Sequence, residues 1–160
     1  MTPRRTLDAA SPVRGDLYRE LLEVLAPFAS FAGLVVRSEH VRLAPGGLAV
    51  LARLNPCLVR GEDVTNWPGT ELVGGRVSRR YLFSSTPDCV EVLIAAASQL
   101  SDWVNPSLPE DLHLLREDGT TVLGTVAQDE DAWLELEEQE FVQFEAAATE
   151  ELRSAFRARG

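Results

Sequence analysis

Three features of this sequence predict an α+β fold, an antiparallel sheet with helices packed mainly on one side. Apolar residues recur at three- and four-residue steps in some segments and alternate with polar neighbours in others, the helical and strand periods respectively. Short turn signals such as Asp118-Gly119 separate the alternating runs, so neighbouring strands should form antiparallel hairpins. At 160 residues, 45% hydrophobic and 25% charged, the chain matches one ordinary domain with a sizeable core. The expected order is α-β-β-β-α-β-β-(β)-α.

Residues 1–15 contain Pro3, Pro12 and Gly15 without periodicity and read as a flexible N-terminal arm; residues 16–160 form the domain. Asp16 reads as the N-cap of a helix to about Phe31, with Leu17, Leu21, Leu25 and Phe28 as its apolar stripe and Pro27 shortening its last turn. From Gly33 the period changes. Leu34 and Val36 open a strand that continues through Val41 and Leu43. Ala44-Pro45-Gly46-Gly47 reads as a turn and residues 48–59 as the returning strand, interrupted by Asn55-Pro56. Residues 61–75, with Trp67-Pro68-Gly69 and Gly74-Gly75, read as loop. Val77, Arg79, Tyr81 and Phe83 make a third strand.

Thr86-Pro87-Asp88 then announces a helix with a capping hydroxyl, a proline at the first position and an acid near the positive end of the dipole. Cys89, Leu93, Ala96, Ala97, Leu100 and Trp103 form its face, and Asn105-Pro106 stops it. Residues 112–116 and 120–127 pair across Asp118-Gly119, Asp129-Glu130-Asp131 turns again, and residues 132–136 offer a further short strand. A helix of about 20 residues closes the chain, its stripe running from Phe141 to Phe156.

Charge narrows the functional classes. The net charge is -10, and every basic residue is Arg. Without lysine, a phosphate-loop lysine, a Schiff base and a kinase-type lysine are all excluded. Residues 1–109 hold 11 Arg and 11 acidic residues, residues 110–151 hold 14 acidic residues against Arg116, and residues 152–160 add three Arg. Such an acidic stretch repels nucleic acid and anionic membranes and attracts cationic partners. No apolar run approaches the roughly 20 residues of a membrane span, and no apolar stretch follows Arg4 and Arg5, so a cytoplasmic protein is expected. Cys57 and Cys89 make no CxxC pair; in a reducing compartment they are expected as small buried hydrophobes.

Catalytic patterns are missing from the chain. Neither His40 nor His113 has a second metal-type ligand at a recognised spacing, so structural or surface roles are expected of both. Asp129 does not start a calcium loop, because Leu134 stands where glycine is needed. No serine lies in a G-x-S-x-G elbow, and the glycine pairs lack the helix-opening context of a phosphate loop. Catalytic, cofactor and metal residues are accordingly expected to be none. Glu110 and Asp111 should lie opposite Asp129, Glu130 and Asp131 across the 112–127 hairpin. Trp103 reads as core, Trp133 as half exposed beside the acidic turn, and Trp67 as either a loop pin or an exposed anchor. The candidate partner-binding residues are therefore Trp67, Glu110, Asp111, Asp129, Glu130, Asp131 and Trp133.

Residues 103–134, WVNPSLPEDLHLLREDGTTVLGTVAQDEDAWL, carry W-x-x-P-x-x-P-E-D-L, a D-G turn and D-A-W-L. This block resembles one found in small uncharacterised bacterial proteins. The resemblance implies a bacterial accessory role and assigns no residue roles. Size and acidity are shared with immunity proteins that neutralise a toxin, an analogy and no more. The sequence thus points to a non-enzymatic protein-binding module, with an immunity or inhibitor protein as its most concrete form and another protein with a basic surface as its partner. The alternatives are a small enzyme or metal-binding protein using His113 with nearby carboxylates, and a self-associating structural subunit.

Overall fold

The computed structural model describes residues 2–37 and 42–160; His40 and Val41 lie outside them, and Leu43, expected at the end of the same strand, belongs to no strand. The fold is α+β, with a large antiparallel sheet. Its strands are β1 (Arg4–Ala9), β2 (Phe31–Val36), β3 (Leu58–Val64), β6 (Ser78–Ser84), β7 (Glu110–Leu115), β8 (Thr121–Val126), β9 (Asp131–Glu137) and β10 (Phe156–Ala158). A separate two-stranded hairpin is formed by β4 (Asn66–Trp67) and β5 (Thr70–Glu71). The helices are α1 (Asp16–Leu25), α2 (Pro45–Leu54), α3 (Pro87–Ala96), α4 (Glu138–Ala147) and α5 (Glu150–Ser154). Strand order in the sheet is β10-β1-β9-β8-β7-β2-β6-β3, all neighbours antiparallel. No helix among the described residues is long and apolar enough to cross a membrane.

The expected hairpins at 112–127 and 132–136 are present as β7–β8–β9, and Thr86 and Pro87 open α3 as read. Six expectations need correction. The N-terminal arm is not free: β1 lies between β9 and β10, with Leu7 in the core. Its weak pattern is supplemented by backbone pairing on both sides and by the Arg5–Glu138 and Asp8–Arg159 ion pairs.

The turn and most of the returning strand expected at 44–59 form α2 and a 3-10 turn over Asn55–Cys57 instead. Only Leu58 and Val59 are strand, at the start of β3, which continues to Val64 into the stretch expected as loop. Pro45 takes the first helical position after Ala44. Gly47 is needed for contact, not for turning: a Cβ there would lie 3.0 Å from the Ser107 carbonyl oxygen. Asp16 is the first residue of α1 and Gly15, at φ 63°, its N-cap; the helix stops at Leu25 ahead of a 3-10 turn over Ala26–Phe28.

The face expected to run unbroken to Trp103 ends with α3 at Ala96. A 3-10 turn over Leu100–Asp102 follows, because the Asp102 carboxylate accepts from the Ser98 N–H and hydroxyl and from Gln99. Trp103 is core nonetheless, donating to the Tyr18 hydroxyl at 3.1 Å. The closing helix is likewise two short helices. Ala148 is extended, and Thr149 caps α5 by accepting from the Leu152 N–H at 3.2 Å.

Cys57 and Cys89 are joined by a disulfide, contrary to the expected free thiols. Their separation of 32 residues hid a neighbourhood made in space, where the turn after α2 meets the first turn of α3.

One apolar cluster unites the helices with one side of the sheet. It includes Leu21 and Leu25 of α1, Leu54 of α2, Leu93 of α3, Phe144 of α4 and Leu152 of α5, set against Leu34, Leu112, Leu134 and Leu136. Fully burying such a side chain contributes about 1.5 to 3 kcal/mol, so this side holds most of the fold's stability. The opposite face of the sheet carries the polar residues considered next.

Candidate functional site

Strand register builds the second face. Gly33 of β2 stands directly across from His113 of β7, and Gly124 of β8 across from Trp133 of β9. In both pairs the ring lies over the glycine, so that a Cβ added to Gly33 would run into the His113 imidazole and one on Gly124 into the Trp133 indole. The β4–β5 hairpin closes over this face through Gly69, whose φ of +83° suits its turn and whose missing side chain makes room for Trp133.

Beneath the hairpin is a network of buried charge. Trp67 is only 4% exposed and donates Nε1–H to Asp111 Oδ2 at 2.8 Å. The other oxygen of Asp111 accepts from the Ala127 N–H at 2.9 Å, which ties β7 to the start of the acidic turn. Arg37 donates to the Glu110 carboxylate, lies 4.0 Å from Asp111 and sits over the Trp67 ring, 5.2 Å from its centroid. Asn105 completes the frame: its N–H donates to Glu110 at 3.1 Å and its side-chain oxygen accepts from the Arg37 N–H at 2.9 Å.

Two buried carboxylates therefore share one nearby guanidinium, whose side chain is still 32% exposed. Burial pushes the Asp111 carboxyl up, opposed by the bonds from Trp67 and Ala127. Asp111 also holds φ 55°, a left-handed conformation that aspartate tolerates at a cost.

His113 is fully buried. Its Nδ1 lies 2.7 Å from the Asp111 carbonyl oxygen, which can only accept, so Nδ1 carries the proton and Nε2 is left bare against Gly33. Burial lowers its pKa to about 4, and it is neutral near pH 7. Among the described residues no three His, Cys, Asp or Glu side chains assemble a metal site.

The candidate partner-binding residues thus divide into two groups. Trp67, Glu110 and Asp111 come together but are buried, so the tryptophan pins the hairpin and cannot anchor a partner. Asp129, Glu130 and Asp131 stay exposed, and Glu130 takes the left-handed position of the turn at φ 56°. Trp133 is half-buried and donates to Glu135 at 2.9 Å.

Asp131, Trp133 and Glu135, together with Asp8, Arg159 and Gly69, line an open groove of about 670 Å³. Arg159 pairs with Asp8 at 2.7 Å and holds its carboxyl below the usual range, which leaves Asp131 and Glu135 as excess negative charge beside an indole. That combination can receive a cationic side chain by ion pairing and by contact with the ring. Asp8 and Arg159 come from opposite ends of the chain and carried no sequence signal, nor did Arg37. Asn105 was legible only as a helix stop.

Comparison with protein-family models, with curated proteins and with solved structures returned no match.

Proposed function

We propose that this protein is a non-enzymatic binding module that receives a basic partner protein on the acidic groove at Trp133. One observation carries the reading: Asp131 and Glu135 flank a half-buried indole in an open groove whose lining is net negative. Exposed Asp129 and Glu130 extend the same charge along the adjoining turn. Charge of one sign around a concavity raises the encounter rate with an oppositely charged partner and discourages nucleic acid and anionic membrane. An immunity or inhibitor protein that blocks a basic toxin is the most concrete form of this function. A cytoplasmic site of action is part of the proposal. The Cys57–Cys89 bond bears against it, because disulfides persist mainly in oxidising compartments, and counting free thiols in protein alkylated within cells decides the point.

The test is capture from a lysate of the source cells at low salt, elution by a salt gradient, and association kinetics with whatever basic protein elutes. Association should slow steeply with ionic strength, and charge reversal by Asp131→Lys with Glu135→Lys should slow it by about tenfold or more at low salt. A partner whose on-rate ignores both salt and these substitutions would overturn the groove as the site.

A further inference from the structure

The two ends of the sheet are unlike. β10 is three residues long and turns Phe156 into the core, a short edge of the kind that discourages further pairing. β3 is seven residues long, pairs only with β6, and makes no backbone hydrogen bond on its outer side among the described residues. It is also decorated with apolar surface. Leu58 is 39% and Val59 48% exposed at its start, and Val77, 47% exposed, adjoins its far end. A long edge with exposed aliphatic side chains is a template for another strand.

Its sequence specifies which strand. Leu58-Val59-Arg60-Gly61-Glu62-Asp63-Val64 is complementary to itself when a second copy runs antiparallel about Gly61. Arg60 then faces Glu62, and Gly61 faces its own copy with no side chain to obstruct the axis. The bulge between Leu58 and Arg60 sets Leu58 and Val59 outside this regular pairing, where they add apolar surface at its ends. Arg60 and Glu62 project on one face, 3.5 Å apart within the chain. There Glu62 also accepts from Arg80 of β6 and Arg60 lies over the Phe31 ring, so a second copy would compete for charges now engaged within the sheet.

We propose that β3 pairs with β3 of a second copy of this chain about a two-fold axis through Gly61, joining two eight-stranded sheets into one. The symmetry is isologous, so every Arg60–Glu62 crossing occurs twice per dimer, and both occurrences respond to one substitution. The groove at Trp133 lies toward the other end of the sheet, between β9 and β1, and stays open in such a dimer. The proposal therefore stands or falls apart from the function assigned to that groove.

The experiment is sedimentation velocity on the full chain and on two charge-reversed variants, Arg60→Glu and Glu62→Arg, each alone and mixed in equal amounts. Wild type should dimerise as concentration rises from micromolar to sub-millimolar. Each variant alone sets like charges opposite each other at both crossings and should weaken the dimer by about tenfold or more. The mixture restores opposite charges at both crossings and should dimerise again. A wild type that stays monomeric, or a dimer indifferent to either reversal, would overturn the proposal. Because Glu62 also holds Arg80 at 2.7 Å, hydrogen exchange on wild type gives a reading independent of the variants' folding. Amides of β3 should exchange more slowly as concentration rises, and concentration-independent exchange would sink the pairing.

Discussion

The two faces of the sheet are built on different physics. Toward the helices, Leu34, Leu112, Leu114 and Leu134 meet other aliphatic side chains, where contact is non-directional and roughly proportional to buried area. On the other face, Gly33, His113, Gly124, Trp133, Asp111 and Trp67 depend on which atom meets which, through ring-over-glycine packing and hydrogen bonds to a buried carboxylate. The difference teaches where this protein is generic and where it is specific. The helix side should answer to volume at any pH, and the hairpin side to charge, proton and geometry.

Four measurements sharpen or break that contrast. The largest loss is expected on the helix side. Leu34 is fully buried, and Leu34→Ala should cost about 3 to 4 kcal/mol in denaturant unfolding, by an amount that hardly changes between pH 5 and 8. A strongly pH-dependent cost would mean that the two faces are coupled.

Acid should act next, through His113. Its folded-state pKa lies near 4, below an ordinary 6.5, so the unfolded chain binds the proton more readily. Stability is then present above about pH 6.5 and is lost as pH falls toward 4, by up to about 3 kcal/mol. The carboxylates held low by their partners, Asp8, Glu62 and Glu140, lose their contribution only below their unfolded values near 4. Asp111 has the opposite sign, since its raised pKa makes its contribution fall as pH rises. Unfolding of His113→Phe, measured across the same range, should therefore flatten the limb between pH 6.5 and 4; an unchanged limb would mean that other groups titrate there.

Asp111→Ala should cost about 2 kcal/mol, because it leaves the Trp67 indole N–H and the Ala127 N–H buried without an acceptor. The loss should be accompanied by faster exchange of the β4–β5 hairpin amides, and a variant with wild-type stability would show that water replaces the carboxylate freely. The smallest effect belongs to a helix cap. Thr149→Ala should cost about 1 kcal/mol and loosen α5 and β10, read by thermal unfolding and by exchange at residues 150–158.

Legibility in the sequence followed the range of the interactions. Thr86-Pro87, Asp118-Gly119 and the alternation in 110–136 act within a few residues, and α3 and β7–β9 were readable from them. The break in the closing helix also had a local sign, Thr149 before Glu150 and Glu151, that the continuous apolar stripe concealed. β1 and the Cys57–Cys89 bond had none, for their partners lie far along the chain. Of the candidate site, Trp133 and Asp131 were found from the acidic turn, but the same reasoning placed Trp67, Glu110 and Asp111 on a surface from which the hairpin and Arg37 remove them.

Sequence alone determined the α+β class, the antiparallel hairpins and the concentration of negative charge in residues 110–151, because periodicity, turn chemistry and net charge are properties of neighbouring residues. Tertiary structure decided which acids are buried and which remain in the groove, that glycines 33 and 124 serve as seats for His113 and Trp133, and that β1 is a strand. Burial, cross-strand contact and disulfide pairing depend on which distant segments become neighbours, and the chain states that only by folding.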